Sequence, residues 1–420
     1  MTTTQVAPGA EAAPRRRFTG LNWRTAVLAA VGLVVLLSVV RLATGADDIT
    51  SSGTIAAALG LAVPIGMAGL GGLWSERAGV VNIGLEGMMI LGTWFGAWAG
   101  FQWGPWAGAL AGVVGGALGG LLHAVATVGF GVDHIVSGVA IILLGQGATQ
   151  FLSVLAFEGT RGGSTTQSPP LEGFPDVSLP WLPDALNTLE DKGWFFLSDA
   201  AGVLRGLTTN VSLLTLIAVA LVPITFYVLW RTAFGLRLRS CGEHPEAAES
   251  LGVNVYTYKY LAVVISGAFA GLGGAFLSIV AAGIYREGQT GGRGFIGLAA
   301  MIFGNWRPGG LAAGAGLFGY TDALQLRRGG ESVHALLLFV ALILAAIAVW
   351  YALRGRLRGA MIAIGAALAV FLIFMFTDSV PGQFTSFAPH LTTLLVLSIA
   401  AQRLRMPKAD GRPYRRGEQR

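Results

Sequence analysis

Charge is what this 420-residue chain has least of: 12% of its residues are Asp, Glu, Lys or Arg. An ordinary soluble domain carries about a quarter. Hydrophobic residues make up 54%, and mean hydropathy is +0.65. No soluble core of this length needs so much apolar surface, so lipid is the simpler sink for it. Cysteine is also scarce. Cys241 stands alone, which excludes an internal disulfide. Lysine occurs only as Lys192, Lys259 and Lys408. None of them sits in Gly-x-x-x-x-Gly-Lys-Ser/Thr, so the chain does not hydrolyse ATP through a Walker A loop. No histidine is followed by glutamate, which excludes the His-Glu-x-x-His zinc site. No metal set and no Gly-x-Ser-Gly nucleophile stand out in the apolar blocks, which argues against an intramembrane hydrolase.

What is present is apolar sequence in blocks of about 20 residues, the length that spans a bilayer. The blocks are residues 25–43, 54–74, 83–101, 105–130, 134–157, 211–230, 261–282, 333–351, 361–377 and 388–401. Between them lies a broken pair. Residues 295–304 are too few to cross, and 309–326 are roughly enough. The expected fold is an all-α polytopic membrane protein with about 10 to 12 transmembrane helices in one domain. It includes a short broken or re-entrant segment. The first block follows Arg15, Arg16 and Arg17, as a secretory signal would, and Ala43-Thr44-Gly45 faintly resembles a cleavage site. Nineteen apolar residues are long for a signal, so an uncleaved helix is expected.

The isoelectric point near 9.8 does not point to nucleic acid, because the basic residues sit at the ends of the blocks, where they set orientation. With Arg15–Arg17 and Arg24 inside, the segment 158–210 falls outside. It holds Arg161, Lys192 and Arg205 against seven acidic residues. The loop 231–258, with Arg231, Arg237 and Arg239, falls inside. If the broken pair crosses twice, Arg354, Arg356 and Arg358 fall inside too, and so does a basic tail over 405–420. The division expected is a cytoplasmic N-terminal tail over 1–24, a membrane domain over 25–404 and the cytoplasmic tail. Both termini are then cytoplasmic.

Glycine is abundant, with 62 residues, and its spacing carries meaning. Gly108, Gly112, Gly116 and Gly120 form one smooth stripe on a helix, and Gly92, Gly96 and Gly100 form another. Gly267 with Gly271 and Gly310 with Gly314 make shorter ones. Lipid tails are as apolar as leucine, so helices in a membrane associate by close backbone approach. The stripes predict a compact bundle.

The most informative loop is Phe234-Gly-Leu-Arg-Leu-Arg-Ser-Cys-Gly-Glu-His-Pro-Glu-Ala-Ala-Glu-Ser-Leu-Gly-Val-Asn254. Pro245 suits the first position of a helix. Glu246 follows in the first turn, where the dipole favours it. Ala247, Ala248, Glu249 and Leu251 continue the helix, and Gly252 suits its left-handed stop. Two turns are too short to be stable alone. The helix is either an ordinary capped linker or is presented to a soluble partner.

This loop resembles the coupling region of ABC importer permeases of the ribose, simple-sugar and branched-chain amino acid type. Further stretches resemble the nucleoside-importing, basic-membrane-protein-associated branch. They are Gly72-Leu-Trp-Ser-Glu-Arg-Ala-Gly-Val-Val-Asn-Ile-Gly-Leu-Glu-Gly-Met88, Gly291-Gly-Arg-Gly-Phe-Ile-Gly-Leu-Ala-Ala-Met-Ile-Phe-Gly-Asn-Trp306 with Phe318-Gly-Tyr-Thr-Asp-Ala-Leu-Gln325, and Pro389-His-Leu-Thr-Thr-Leu-Leu-Val-Leu with the closing Gly411-Arg-Pro-Tyr-Arg415. The resemblance covers 54–326 and 388–416. Two departures stand out: an extra helix at 25–43 and an extra helical hairpin over 333–377. The resemblance implies a transport subunit that is not itself an enzyme and holds no cofactor. ATP and Mg would belong to a cytoplasmic ABC ATPase subunit, docked at Arg237, Arg239, Glu243, Pro245, Glu246, Ala247, Ala248 and Gly252. A second homologous permease subunit and an extracellular substrate-binding lipoprotein complete the implied set of partners, with membrane lipid around the bundle.

An ionisable residue inside a membrane is costly and is a functional candidate by default. Glu86 and Asp322 qualify, either lining the path or bonded to a neighbouring helix. Asn82 lies four residues before Glu86, on the same face if both are helical. Gly79 and Gly84 make a helix break there reasonable. Amide and carboxylate side chains suit ribose hydroxyls and base edges, which also brings in Gln146 and Gln325, and Trp306 could stack on a base. Asp133 reads as a helix cap, and His123 and His334 as packing residues. The expected function is the membrane-spanning permease of an ATP-driven importer for nucleosides or related ribosyl compounds. A simple-sugar permease of the same family is the first alternative. An ion-coupled transporter with Glu86 or Asp322 as proton carrier is the second.

Overall fold

In lipid only a helix satisfies every backbone N–H and C=O within its own segment, and the apolar blocks obey that rule. The structure is a computed structural model describing residues 23–178, 181–381 and 404–416. In chain order its helices are α1 (Trp23–Thr44), α2 (Ser52–Arg77), α3 (Leu85–Trp103), α4 (Pro105–Ala124), α5 (His134–Ala156), α6 (Leu182–Glu190), α7 (Leu197–Thr208), α8 (Leu213–Arg231), α9 (Ala233–Glu243), α10 (Pro245–Ser250), α11 (Val255–Phe276), α12 (Arg293–Phe303), α13 (Pro308–Leu353) and α14 (Leu357–Phe376). Residues Asp176–Val177 (β1) and Val211–Ser212 (β2) pair antiparallel. Side-chain oxygens of Ser51, Asp133, Ser212, Thr232 and Asn254 cap α2, α5, α8, α9 and α11. Asp133 takes the role its position predicts.

Among the described residues, eight helices are long and apolar enough to cross a membrane. They are α1, α2, α4, α5, α8, α11, the second part of α13, and α14. Helix α3 has 19 residues and is buried along most of its length. Helix α12, with 11 residues, rises only about 16 Å, roughly half the hydrocarbon thickness. The protein is therefore an all-α, multi-pass membrane protein. The expected block at 388–401 lies outside the described residues.

Three segments differ from the sequence reading. The segment 158–210 is not simply a loop. It holds α6 and α7, whose short amphipathic faces close over the start of α2, where Ser52 N–H donates to Glu190 Oε1 at 2.8 Å. Helix α9 occupies half of what read as a linker, because Thr232 caps it and Leu238 and Cys241 are buried beneath it. Helix α13 runs unbroken through Arg327-Arg328-Gly329-Gly330-Glu331, although the sequence suggested separate blocks at 309–326 and 333–351. Two glycines inside a helix cost only about 1 kcal/mol each, and the flanking helix formers outweigh that. At 46 residues, α13 is about 69 Å long. Its first part packs on α2, where Gly319 meets Ala58 and Ala62. Its second part packs on α14 and on α1, through Ala335, Leu338 and Leu37.

The centre of the bundle is α2, α3, α4 and α11, and glycine decides its spacing. A methyl group built on Gly116 would strike the Gly267 carbonyl, and one on Gly271 would strike that of Gly112. One on Gly92 would strike Gly271, and one on Gly108 would strike Gly96 and Gly100. The stripes read from the sequence thus meet each other in a three-helix contact of backbones. Replacing Gly116 by Leu should separate α4 from α11 and cost at least about 1–3 kcal/mol. Replacing Gly147 by Ala, where a methyl group meets open space, should cost nothing and gain up to about 1 kcal/mol from helix propensity. Thermal unfolding of the two variants in detergent separates these outcomes, and equal midpoints would refute the packing account.

Candidate functional site

Between α2 and α3 the chain leaves the helical conformation over residues 78–84. Gly79 takes a positive φ of 81°, and the Lys259 ammonium donates to its carbonyl at 3.2 Å. Asn82 sits in this turn, fully buried, and donates to Ser266 Oγ at 2.9 Å. Because it precedes α3, it does not share a helix face with Glu86. Asn82 looks toward α11, and Glu86 looks toward α12.

Glu86 is the pivot of the site. It is 5% exposed, and both its oxygens accept from the start of α12. Gly292 N–H donates to Oε1 at 2.9 Å and Gly294 N–H to Oε2 at 2.7 Å. Helix N-termini present unpaired N–H groups and partial positive charge, so a carboxylate is a fitting cap. Glycine is required twice here. Gly292 adopts φ 79° as the cap residue, and a methyl group on Gly294 would lie 2.7 Å from the Glu86 carboxylate. Arg293, first in α12, forms a 4.0 Å ion pair with Asp322 of α13. Its guanidinium also donates to the Gln289 and Thr290 carbonyls at 3.2 Å.

This arrangement builds one wall of a cavity of about 530 Å³, within the usual range for small-molecule sites. The chain over 285–292 and Phe295 form that wall, Glu86, Ile90 and Thr93 the floor, and Gln146, Thr149 and Gln150 of α5 the opposite side. Amides and hydroxyls dominate the polar lining. Gln289 Oε1 accepts from the Arg286 N–H, while its Nε2 is buried without a hydrogen-bond partner. Of the six path residues read from the sequence, Glu86 and Gln146 line this cavity. Asn82 lies in the turn feeding α3, Asp322 ties α12 to α13, and Gln325 lies on α13 away from the lining. The glutamine and threonine set over 285–292 went unnoticed. A polar run, Arg286-Glu287-Gly288-Gln289-Thr290, between two apolar blocks was the signal for it.

Trp306 is not a base-stacking residue of this cavity. It lies at the other end of α12, 4% exposed. Its indole N–H donates to Glu76 at 2.5 Å, and its carbonyl accepts from Arg77 at 2.7 and 3.1 Å. Asn305 and Trp306 both have positive φ, 55° and 52°. Such strain persists only where the surroundings over-determine it, and the end of α2 does that here.

Beyond this corner lie α9 and α10. Arg77 pairs with Glu243 at 3.9 Å. Arg239 donates to the Leu229 carbonyl at 2.9 Å and lies over the Trp230 ring. Pro245 opens α10, and Gly252 follows it with φ 80°. The helix has six residues and does not reach Gly252. Ala248 points inward, packed with Cys241 and Val255, so it holds α10 on the bundle and does not face a partner. The exposed surface includes Arg237, His244, Glu246, Ala247 and Leu251, the last 85% exposed. Residues 404–416 return to this end. Asp410 is buried there beside Glu76 and Lys259, and burial pushes its carboxyl up to about 7.

Known proteins match this chain along most of its length. It is 35% identical over 372 residues to the guanosine ABC transporter permease protein NupQ of Bacillus subtilis, covering 87% of this chain and 97% of that one. It is 32% identical over 358 residues to the nucleoside ABC transporter permease protein NupC of Lactococcus lactis, covering 84% and 93%. A putative glucose ABC transporter permease protein, TsgC13 of Haloferax volcanii, is 35% identical over 281 residues, covering 66% and 78%. No solved structure gives a significant match. Residues 54–347 match the family described as branched-chain amino acid transport system / permease component, and the chain belongs to that family.

Proposed function

We propose that this chain is the membrane-spanning subunit of an ATP-driven importer for nucleosides or related ribosyl compounds. The observation that carries this reading is its similarity, over 97% of the relative's length, to a protein named as a guanosine ABC transporter permease. The cavity chemistry supports it. A nucleoside is uncharged and offers hydroxyls, ring nitrogens and exocyclic amide or amine groups. Gln146, Thr149, Gln150, Gln289 and Thr290 offer donors and acceptors of matching kind. Gln146 and Gln150 are exposed on α5, so the cavity opens there, and a second homologous permease subunit closes it. ATP and Mg are held by a soluble ATPase subunit that docks on α10. A substrate-binding lipoprotein delivers the ligand at the end carrying α6 and α7. The basic residues of α9 and of the C-terminal tail support a cytoplasmic position for the α10 end.

A simple sugar is the second reading. It is favoured by the similarity to a putative glucose permease and by the same hydroxyl-binding groups. Proton coupling through Glu86 finds less support, because both carboxylate oxygens are taken by backbone N–H groups.

In liposomes holding this chain, its permease partner and the ATPase, labelled guanosine should accumulate only with ATP and lipoprotein. Accumulation driven by a proton gradient without ATP would defeat the proposal, and preference for glucose over nucleosides would turn it to the second reading. Gln146→Ala with Gln150→Ala should raise the half-saturating nucleoside concentration roughly 5- to 30-fold, as lost hydrogen bonds of about 1 kcal/mol each imply. Unchanged saturation would remove α5 from the path. Leu251→Asp should cost uptake and ATPase retention on purification while leaving thermal stability intact, because the side chain is exposed. Full retention of the ATPase would show that α10 docks nothing.

A further inference from the structure

Helix α10 has six residues, and isolated helices shorter than about 12 are marginal. Something must hold it. On one side Ala248 packs with Cys241 and Val255. On the other side the C-terminal tail does the holding. The tail is fastened to the bundle along its length. Arg405 N–H donates to Asn305 Oδ1 at 2.7 Å, and Ala409 N–H donates to the Gly242 carbonyl at 2.9 Å. Asp410 is buried beside Glu76. Its far end then grips α10. The Tyr414 hydroxyl donates to Glu249 Oε2, and Arg416 Nε meets Glu249 Oε1 at 2.7 Å. Tyr414 also packs against the Tyr256 ring, centroids 5.4 Å apart, and accepts the Tyr256 hydroxyl on its carbonyl at 3.4 Å. One carboxylate of α10 thus takes two donors from the tail, on a segment hydrogen-bonded to the bundle at two points upstream.

A groove of about 680 Å³ lies between the two elements. Its walls differ in charge. Glu243 and Glu246 stand on the α10 side, and Lys408, Arg412 and Arg415 on the tail side. A partner seated there meets both walls, so the surface that fits carries a basic side toward α10 and an acidic side toward the tail.

We propose that residues 408–416 are a positioning element for coupling. The tail holds α10 through Glu249 and forms the second wall of the groove in which the ATPase subunit docks. This rests on the ATP-driven reading above. The tail's contribution is mechanical as well as complementary in charge. A two-turn helix pressed by a moving partner would otherwise slide on the single buried Ala248, and the Glu249 grip resists that.

The test uses the full complex of this chain, its permease partner and the ATPase, purified through a tag on this chain. Two variants are compared with the unmodified complex: a chain ending at Pro407, and Glu249→Arg, which sets like charges against each other. Each should retain about tenfold less ATPase, the range of a coupled contact pair, and lose ATP-dependent uptake in proportion. Combining Glu249→Arg with Arg416→Glu restores opposite charges and should recover most of the retention. A merely structural role for Glu249 would not give that rescue. An unmodified complex that holds no ATPase would fail the ATP-driven reading itself. An unmodified complex that holds it, beside a shortened chain that holds it equally well, would overturn the role of the tail alone. If thermal unfolding shows the shortened chain to be damaged, the charge exchange decides, and lack of recovery there overturns the grip.

Discussion

A helix that begins inside a membrane must find acceptors for its first N–H groups, because lipid offers none. In this protein that need is met by one side chain. Glu86 takes the Gly292 and Gly294 N–H groups at the start of α12, and much else follows from that contact. Glycine is forced at 294 because a methyl group there would lie 2.7 Å from the backbone N and Cα of Glu86 as well as from its carboxylate. The chain over 285–292 has to enter the bundle to bring α12 to this point, and in doing so it becomes a cavity wall. The non-helical turn over 78–84 exists so that α3 can begin with Glu86 in reach. Lys259, His123, His134 and Ser266 meet polar groups of this turn, while Asn82 Oδ1 is buried without a hydrogen-bond partner.

The glycine contact of α3, α4 and α11 is the frame around this site. Membrane helices gain little from apolar attraction to one another, so spacing matters more than size. Gly116 against Gly267, and Gly112 against Gly271, bring backbones close enough for dispersion to replace the missing hydrophobic force. Only small or apolar side chains such as Ala275 and Ile279 enter this frame, and the larger polar groups gather beside it. There they form two separate regions, the cavity by α12 and α5 and the charged surface by α9 and α10.

Much of this was legible in the sequence. Block length and low charge gave the helices, and four-residue spacing gave the glycine stripes. Pro245 and Gly252 bracketed α10. Glu86 stood out because charge in a membrane is expensive. What was not legible depended on distance in space. Nothing local says that Glu86 meets Gly292, more than 200 positions later, or that Trp306 answers to Glu76 and not to a ligand. Ala248 read as a surface residue because alanine favours helices everywhere, and only the packing of α9 shows which way it points. Helix α13 read as two pieces because paired glycines and charges usually mark an end. Its unbroken course depends on what flanks them.

Helix α12 has one further property. Its first residues are held by Glu86 and its last by Glu76 and Arg77 through Trp306. All three holding residues belong to a single corner of chain, 76–86, so α12 is a rod of about 16 Å pinned at both ends to the same body. The strained pair Asn305 and Trp306 removes slack at one pin, and the doubly bonded carboxylate removes it at the other. The cavity wall over 285–292 is continuous with that rod, so its position is fixed by the corner 76–86 and not by the loops around it.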